Sequence, residues 1–202
     1  MSKKSNKKKN KKTIKIVAIC VVIVLLVAFI CIYFAMSKND ATRFRNEYTQ
    51  VSKDNVFVYA EVDEIIDILS TGTGVVYLSF PECPWCQAYA SILNEAAKSA
   101  GLEKIYYYNI KQDRADNTEN YQKITGILQQ HLPTDSNNNP RVYVPNVTVV
   151  KNGLIIFNDN ETSTISSNDI TPTEYWSKEK KEPLENALIT AFKQINSCNT
   201  CN

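Results

Sequence analysis

The chain has 202 residues, of which 44% are hydrophobic and 22% are charged, a size and composition that suit one globular domain with appendages. Its charge is uneven: the first 36 residues carry eight lysines and no acidic residue, whereas residues 37–202 hold the other 15 basic residues and all 21 acidic ones, a balance of −6. Five glycines and seven prolines argue against low complexity over most of the length, and the acidic balance argues against nucleic-acid binding.

The N-terminus joins a lysine-rich leader, residues 1–15, to an uncharged apolar segment, residues 16–36. This length predicts a transmembrane helix, and the lysines before it place the N-terminus in the cytoplasm and the remaining chain outside the cell membrane. A cleaved signal peptide is the alternative, because Ala35 and Ser37 flank a possible cleavage site. The apolar run is longer than the usual signal core of about 7 to 15 residues, which favours the uncleaved anchor.

Residues 37–54 are polar and charged with no sustained apolar period, which predicts a tether. The predicted domain covers residues 55–196 and begins with a strand at 56–59. A helix follows, because apolar residues recur there at helical spacing, namely Val62, Ile65, Ile66 and Leu69.

A dithiol motif, Cys83-Pro84-Trp85-Cys86, stands where a strand is predicted to give way to a helix. The run at 75–79 is β-branched and aromatic, and the apolar residues after the motif keep helical spacing up to a predicted C-cap at Gly101. Free N–H groups and the helix dipole favour a thiolate at such a position and can lower a cysteine pKa to roughly 3.5 to 7.5. Cys83 is therefore the expected attacking cysteine, and Cys86, one turn further on, the resolving one.

Strands and helices continue to alternate after the motif. A strand is predicted at 105–110, followed by a helix that Asn117 would cap, and this alternation implies a parallel sheet with crossovers. After a turn-rich loop at 133–141, strands at 147–150 and 154–157 predict a hairpin around an Asn-Gly turn. A polar surface excursion at 158–171 leads to a capping box and a final helix with one apolar stripe, Leu184, Leu188, Phe192 and Ile195.

The motif and a later proline together resemble the thioredoxin-like superfamily over roughly residues 56–195. The C-x-x-C of that superfamily lies at the same strand-to-helix junction, and the Pro-Trp dipeptide is similar to the glutaredoxin-type C-P-[YW]-C variant. A cis-proline before a later strand is its second mark, and Pro145 stands at the corresponding place. Within that superfamily, the chain most resembles the membrane-anchored thioredoxin-like proteins of Gram-positive bacteria, which include the bacteriocin transport accessory proteins.

The resemblance implies an α/β thioredoxin fold, with a central mixed sheet flanked by helices, displayed on an N-terminal transmembrane helix. It implies thiol–disulfide exchange with exported proteins, an unidentified redox partner, and no organic cofactor or metal. Pro145 would keep the substrate surface open, and the backbone of Val144 would pair with an extended substrate, a form of strand addition. Pro84 and Trp85 would complete that surface, with Trp85 exposed beside Cys83.

The sequence departs from the superfamily at two places that matter for proton transfer. Glu82 replaces the tryptophan that precedes the first cysteine in thioredoxins. The strand also reads Tyr77-Leu78-Ser79 and lacks their buried aspartate. Glu82 could accept the proton instead, although a carboxylate beside Cys83 would also raise the pKa of that thiol.

The other cysteines leave several interpretations open. Cys198 and Cys201, in the tail at 197–202, could relay electrons to the motif, form an inert disulfide or stay as free thiols, or bind a soft metal with the first pair. Cys20 and Cys31 lie in the apolar segment, where cysteine usually serves as a small apolar side chain. His131, the only histidine, is predicted to bound a helix.

Two functions compete at this point. The dithiol motif favours a membrane-anchored oxidoreductase, with a structural disulfide or half of a zinc site as alternative uses of Cys83 and Cys86. The other function is a non-catalytic accessory or binding module associated with an export system. Replacing Cys83 separates the two, since only the enzyme requires its sulfur.

Overall fold

The computed structural model describes residues 17, 19–28, 39–165 and 170–196. The chain forms two compact units, Met1–Asn39 and Asp40–Asn202. Residues 19–28 of the first unit are helical. Across the described ranges, no helix combines the length and the apolarity that crossing a membrane requires. The leader at 1–15, residues 29–36 of the predicted transmembrane segment and the tail at 197–202 lie outside the described residues.

The second unit is built on a mixed sheet with the strand order β1-β3-β2-β4-β5. Strands β1, β3 and β2 are parallel, as the alternating sequence pattern predicted. Strand β4 pairs antiparallel with β2, and β5 pairs antiparallel with β4. The central strand β2 is buried at every position, which explains its continuous apolar sequence. The strands are β1 (Phe57–Tyr59), β2 (Gly74–Ser79), β3 (Ile105–Asn109), β4 (Asn146–Lys151) and β5 (Leu154–Asp159).

Helices cover both faces of this sheet and enclose two apolar cores, so the predicted α/β class is confirmed. One core lies between the sheet and helices α1, α3 and α7, and the other between the sheet and helices α2 and α5. Alternate side chains of β2 enter the two cores, because successive strand residues face opposite ways. The helices are α1 (residues 39–47), α2 (Val62–Ser70), α3 (Pro84–Ala100), α4 (Lys111–Asp116), α5 (Glu119–Leu128), α6 (Pro172–Tyr175) and α7 (Lys178–Asn196).

Several of the predicted turns and caps are present. Gly101 ends α3 with a φ of 69°, and the β4–β5 hairpin turns through Asn152 and Gly153, which both have positive φ as such two-residue turns require. The capping box at Thr171 also forms. One cap differs from the prediction: Asn117 ends α4 in a left-handed conformation, and the next residue, Thr118, caps α5.

The segment predicted as a tether contributes to the core instead. Phe44, Tyr48 and Val51 are buried, and the ring of Phe44 stacks on that of Phe57 with the centroids 3.8 Å apart. These three residues lie four and three positions apart, a short stripe that charged neighbours obscure in the sequence. The compact unit therefore starts at Asp40, well before residue 55.

Candidate active site

Cys83 and Cys86 lie at the junction of β2 and α3. Cys83 is the N-cap of α3, Pro84 occupies the first turn, and the sulfur of Cys83 accepts the backbone N–H of Cys86 at 3.1 Å. The two cysteines are joined as a disulfide, with their Cα atoms 5.2 Å apart. When this bond is reduced, the same N–H and the helix N-terminus stabilise a thiolate on Cys83.

The loop that precedes β4 reaches this sulfur from a distant part of the sequence. The carbonyl oxygen of Val144 lies 4.0 Å from Cys83 Sγ, and the Val144–Pro145 peptide bond is cis. The two segments meet because β2 and β4 are neighbouring strands, with Leu78 opposite Asn146. Residues 141–145 are called the proline loop below. Pro145 itself is buried, so the backbone and side chain of Val144 are the parts nearer the surface.

The two cysteines differ in accessibility. Cys83 is 8% exposed and Cys86 is fully buried. Pro84 is exposed between them. Of the two, only Cys83 has any exposed surface, so it is the cysteine that a partner sulfur would have to reach.

Trp85 does not have the exposure that the sequence analysis expected. Its side chain is 9% exposed and packs edge-to-face with Tyr175, the ring centroids being 5.3 Å apart. Tyr175 in turn packs edge-to-face on Trp176 at 4.9 Å. The chain after β5 folds back over the start of α3. The residues near the motif gave no basis for predicting this contact. Trp85, Tyr175 and Trp176 are called the aromatic cap below.

Glu82, considered as a proton acceptor, faces solvent. Its carboxylate forms an ion pair with Lys111 at 2.8 Å, and both side chains are more than half exposed. The hydrogen bond from Lys111 lowers the pKa of Glu82, so the group is a carboxylate at neutral pH. Its charge is thus paired with a lysine and exposed to water rather than buried beneath the disulfide.

Buried hydroxyl groups occupy the core beneath the motif. Tyr77 donates a hydrogen bond to the carbonyl oxygen of Cys86 at 3.0 Å. Ser79 and Tyr48 share a hydrogen bond of 2.6 Å, and Tyr48 donates to Tyr107 at 3.3 Å. Burial raises the pKa of all three tyrosines, so this network is uncharged at neutral pH. Tyr77 and Ser79 were visible in the sequence, but Tyr48 belonged to the predicted tether.

A titratable carboxylate lies on the other side of α3. Tyr89, one turn after Cys86, donates a hydrogen bond of 2.5 Å to Asp159 at the end of β5. Burial raises the pKa of Asp159 above its ordinary value, with a further contribution from the charge of Glu161. The ring of Tyr89 also stacks against that of Tyr77. Sequence analysis missed Asp159, since it stands at the start of the polar run interpreted as a surface excursion.

The remaining candidates stay apart from this site or outside the described residues. His131 is exposed in a short 3-10 helix, Gln129–His131, after α5. Cys198 and Cys201 are not among the described residues, and neither is Cys31. In the part of the chain that the structure describes, no group of three or more histidine, cysteine or acidic side chains is arranged to hold a metal.

Comparison with known proteins returns no match: no family model, no curated protein and no solved structure is similar to this chain. The functional assignment of Cys83, Cys86 and Val144 therefore rests on the motif and on the geometry around it.

Proposed function

We propose that this protein is a thiol–disulfide oxidoreductase of thioredoxin type that exchanges disulfides with exported proteins. One observation carries the proposal. The sulfur of Cys83 caps a 17-residue helix, accepts a backbone N–H of that helix, and lies 4.0 Å from a carbonyl oxygen of the proline loop. The mixed sheet with helices on both faces is compatible with a thioredoxin fold.

The reaction needs only the two sulfurs of the motif. The Cys83 thiolate attacks one sulfur of a substrate disulfide, a mixed disulfide forms, and the other substrate sulfur leaves as a thiolate that takes a proton from water. Cys86, as a thiolate, then attacks the sulfur of Cys83 and releases the second substrate thiol. Two electrons pass from the Cys83/Cys86 dithiol to the substrate, and the reverse sequence oxidises a substrate dithiol.

The proline loop supplies the surface for an extended substrate. In this proposal the backbone of Val144 pairs with substrate backbone, as in strand addition, and brings a substrate sulfur in line with Cys83. Pro145 is buried and holds the loop in place, and Pro84 provides exposed apolar contact. Trp85 has a packing role in this proposal, because the ring of Tyr175 packs against it.

We further propose that the N-terminal unit anchors the enzyme in the cell membrane with the second unit outside. The support is the sequence itself: an uncharged segment at 16–36 preceded by eight lysines. Fusing a reporter enzyme that works only in the cytoplasm, or only outside it, to the C-terminus tests this orientation.

A binding module without catalysis is the second candidate, and the low exposure of Cys83 favours it. Trapping separates the two functions. Both variants below are made in a chain that carries Cys198→Ser and Cys201→Ser. Cys86→Ser should then accumulate a mixed disulfide with exported proteins, because neither the motif nor the tail keeps a thiol that could resolve it. A non-reducing gel detects this product and a reductant removes it. The matched control, Cys83→Ser, should trap nothing. Equal trapping by both variants, or by neither, would refute the oxidoreductase function.

A further inference from the structure

Two arginines, one on α4 and one at the start of the proline loop, stand together without an ion-pair contact to a carboxylate. Arg114, on α4, donates a hydrogen bond to the carbonyl oxygen of Val142 at 3.3 Å, and its guanidinium lies 5.1 Å from the ring centroid of Phe80. Arg141 lies over the ring of Tyr143 at 5.7 Å. Neither guanidinium has a carboxylate within 4.0 Å among the described residues.

The two positive charges face the same cavity. Arg114 and Arg141 line a surface cavity of about 540 Å³ between α4, α5 and the loop before β4. Burial, and next the charge of Arg141, lower the pKa of Arg114, so the two groups are close enough to repel each other. Like charges held together in this way leave an anion favoured between them.

One acidic residue, Asp135, also lines the cavity, and its charge interacts with that of Arg141. A single carboxylate offsets only one of the two arginines. The carboxylate of Asp135 accepts the backbone N–H groups of Asn137 and Asn139, at 2.8 and 3.0 Å, and thereby forms a turn of the loop. The charged lining of the cavity is then two arginines against one carboxylate. A net positive charge remains.

The proline loop connects the cavity to the candidate substrate surface, since Arg141 lines the cavity and Val144 follows three residues later. Val142, which accepts the hydrogen bond from Arg114, is two residues before Val144, whose carbonyl oxygen lies 4.0 Å from Cys83 Sγ. Two residues of extended chain span about 7 Å. A substrate backbone running along the proline loop would therefore carry a side chain into the cavity about two to four residues from its reacting cysteine.

We propose that Arg114 and Arg141 bind an acidic side chain of the substrate protein and so select substrates with Asp or Glu near the reacting cysteine. This inference deepens the proposed oxidoreductase function and rests on it for the identity of the ligand. Arginine is suited to the task because its planar group can donate two hydrogen bonds to one carboxylate.

Binding of a matched peptide pair tests the proposal without requiring exchange. Two thiol-free peptides would carry a serine at the cysteine position and either Glu-Glu or Gln-Gln three residues away. Fluorescence anisotropy then measures their binding to the oxidised full-length chain. We expect the Glu-Glu peptide to bind about fivefold more tightly at low ionic strength, as two partly exposed ion pairs allow. The preference should vanish near 1 M salt, where charges are screened beyond about 3 Å.

Variants locate the effect. R114Q/R141Q should abolish the preference, R114K/R141K should keep part of it, and K123Q, an exposed site on α5 outside the cavity, should leave it unchanged. Equal binding of the two peptides by the wild-type chain, or a preference that survives in R114Q/R141Q, would overturn the proposal. The salt series needs no variant, so a folding defect in R114Q/R141Q would not remove the test.

The same peptides with cysteine in place of serine separate this inference from the proposed function. Exchange with both peptides at equal rates would refute the selectivity for acidic substrates and would still support the oxidoreductase function. A charge preference in binding, with no exchange by either cysteine peptide, would refute the oxidoreductase and leave the cavity as an acidic-peptide site.

Discussion

The start of α3 has two flanks, and they are covered in opposite ways. On one flank the aromatic cap seals Trp85 under Tyr175 and Trp176. On the other flank the proline loop approaches Cys83 with a backbone carbonyl, and Phe80, Tyr143 and Val144 remain partly exposed. In the proposed function, a partner protein would reach Cys83 from the loop flank, because aromatic rings already fill the cap flank.

The largest expected effect concerns the centre of the cap. Replacing Trp85 by alanine should lower the free energy of unfolding by about 3 to 5 kcal/mol, since a large buried ring is removed. Urea denaturation measures this. The control Leu154→Ala, at a side chain that is 69% exposed, should change stability by less than about 0.5 kcal/mol. A Trp85→Ala chain as stable as the wild type but unable to bind peptides would instead make Trp85 a recognition residue.

Tyr175 tests the outer layer of the cap. Tyr175→Ala removes two edge-to-face ring contacts and should cost about 1 to 3 kcal/mol of unfolding free energy. Tyr175→Phe keeps both rings in contact and loses only the hydroxyl group, which donates a hydrogen bond to Glu161 and accepts one from Lys180 at 3.4 Å. Since these groups are exposed, its cost should be under about 1 kcal/mol. Equal losses in the two variants would mean that the hydroxyl group, not the ring, holds the cap in place.

Asp159 makes the stability of the cap flank depend on pH. Burial raises the pKa of Asp159 in the folded chain, so the folded state keeps this proton to a higher pH than the unfolded state does. The contribution to stability is therefore full below the unfolded pKa of about 3.9. This stabilisation is lost as pH rises to the pKa that Asp159 has in the folded chain, and the loss is no more than about 1.4 kcal/mol per pH unit.

Asp159→Asn should remove that loss. The measurement is the difference in urea-unfolding free energy between wild type and variant over a pH series starting near 4. The wild type should lose stability relative to the variant as pH rises through the window and hold a constant difference above it. A difference that does not change with pH would show that Asp159 titrates alike in the folded and unfolded chains.

Regular patterns in the sequence were sufficient to predict the order of strands and helices. The apolar strand at 75–79, the spacing after Cys86 and the Asn-Gly turn each depend on local chemistry, and each appears where predicted. Phe44 and Tyr48 were missed because one short apolar stripe among charged residues has no local signature. Their burial depends on Phe57, beyond the charged segment, and on Tyr107, which follows Tyr48 by 59 residues.

The candidate site shows the same limit. The positions of Cys83 and Val144 followed from motif spacing, but the surroundings of Trp85 depend on Tyr175, 90 residues further along the chain. The partial burial of Asp159 likewise depends on where β5 ends relative to α3. Exposure and charge at the site are therefore tertiary properties, whereas the motif itself is local.

The most direct test of the oxidoreductase is the reduction potential of the Cys83/Cys86 pair. The full-length chain carrying Cys198→Ser and Cys201→Ser would be equilibrated in glutathione buffers and its thiols counted by alkylation. The proposal predicts one reversible two-electron couple between about −270 and −120 mV, the range from thioredoxin to DsbA. A pair that stays oxidised throughout, with a potential below about −300 mV like a structural disulfide, would contradict it.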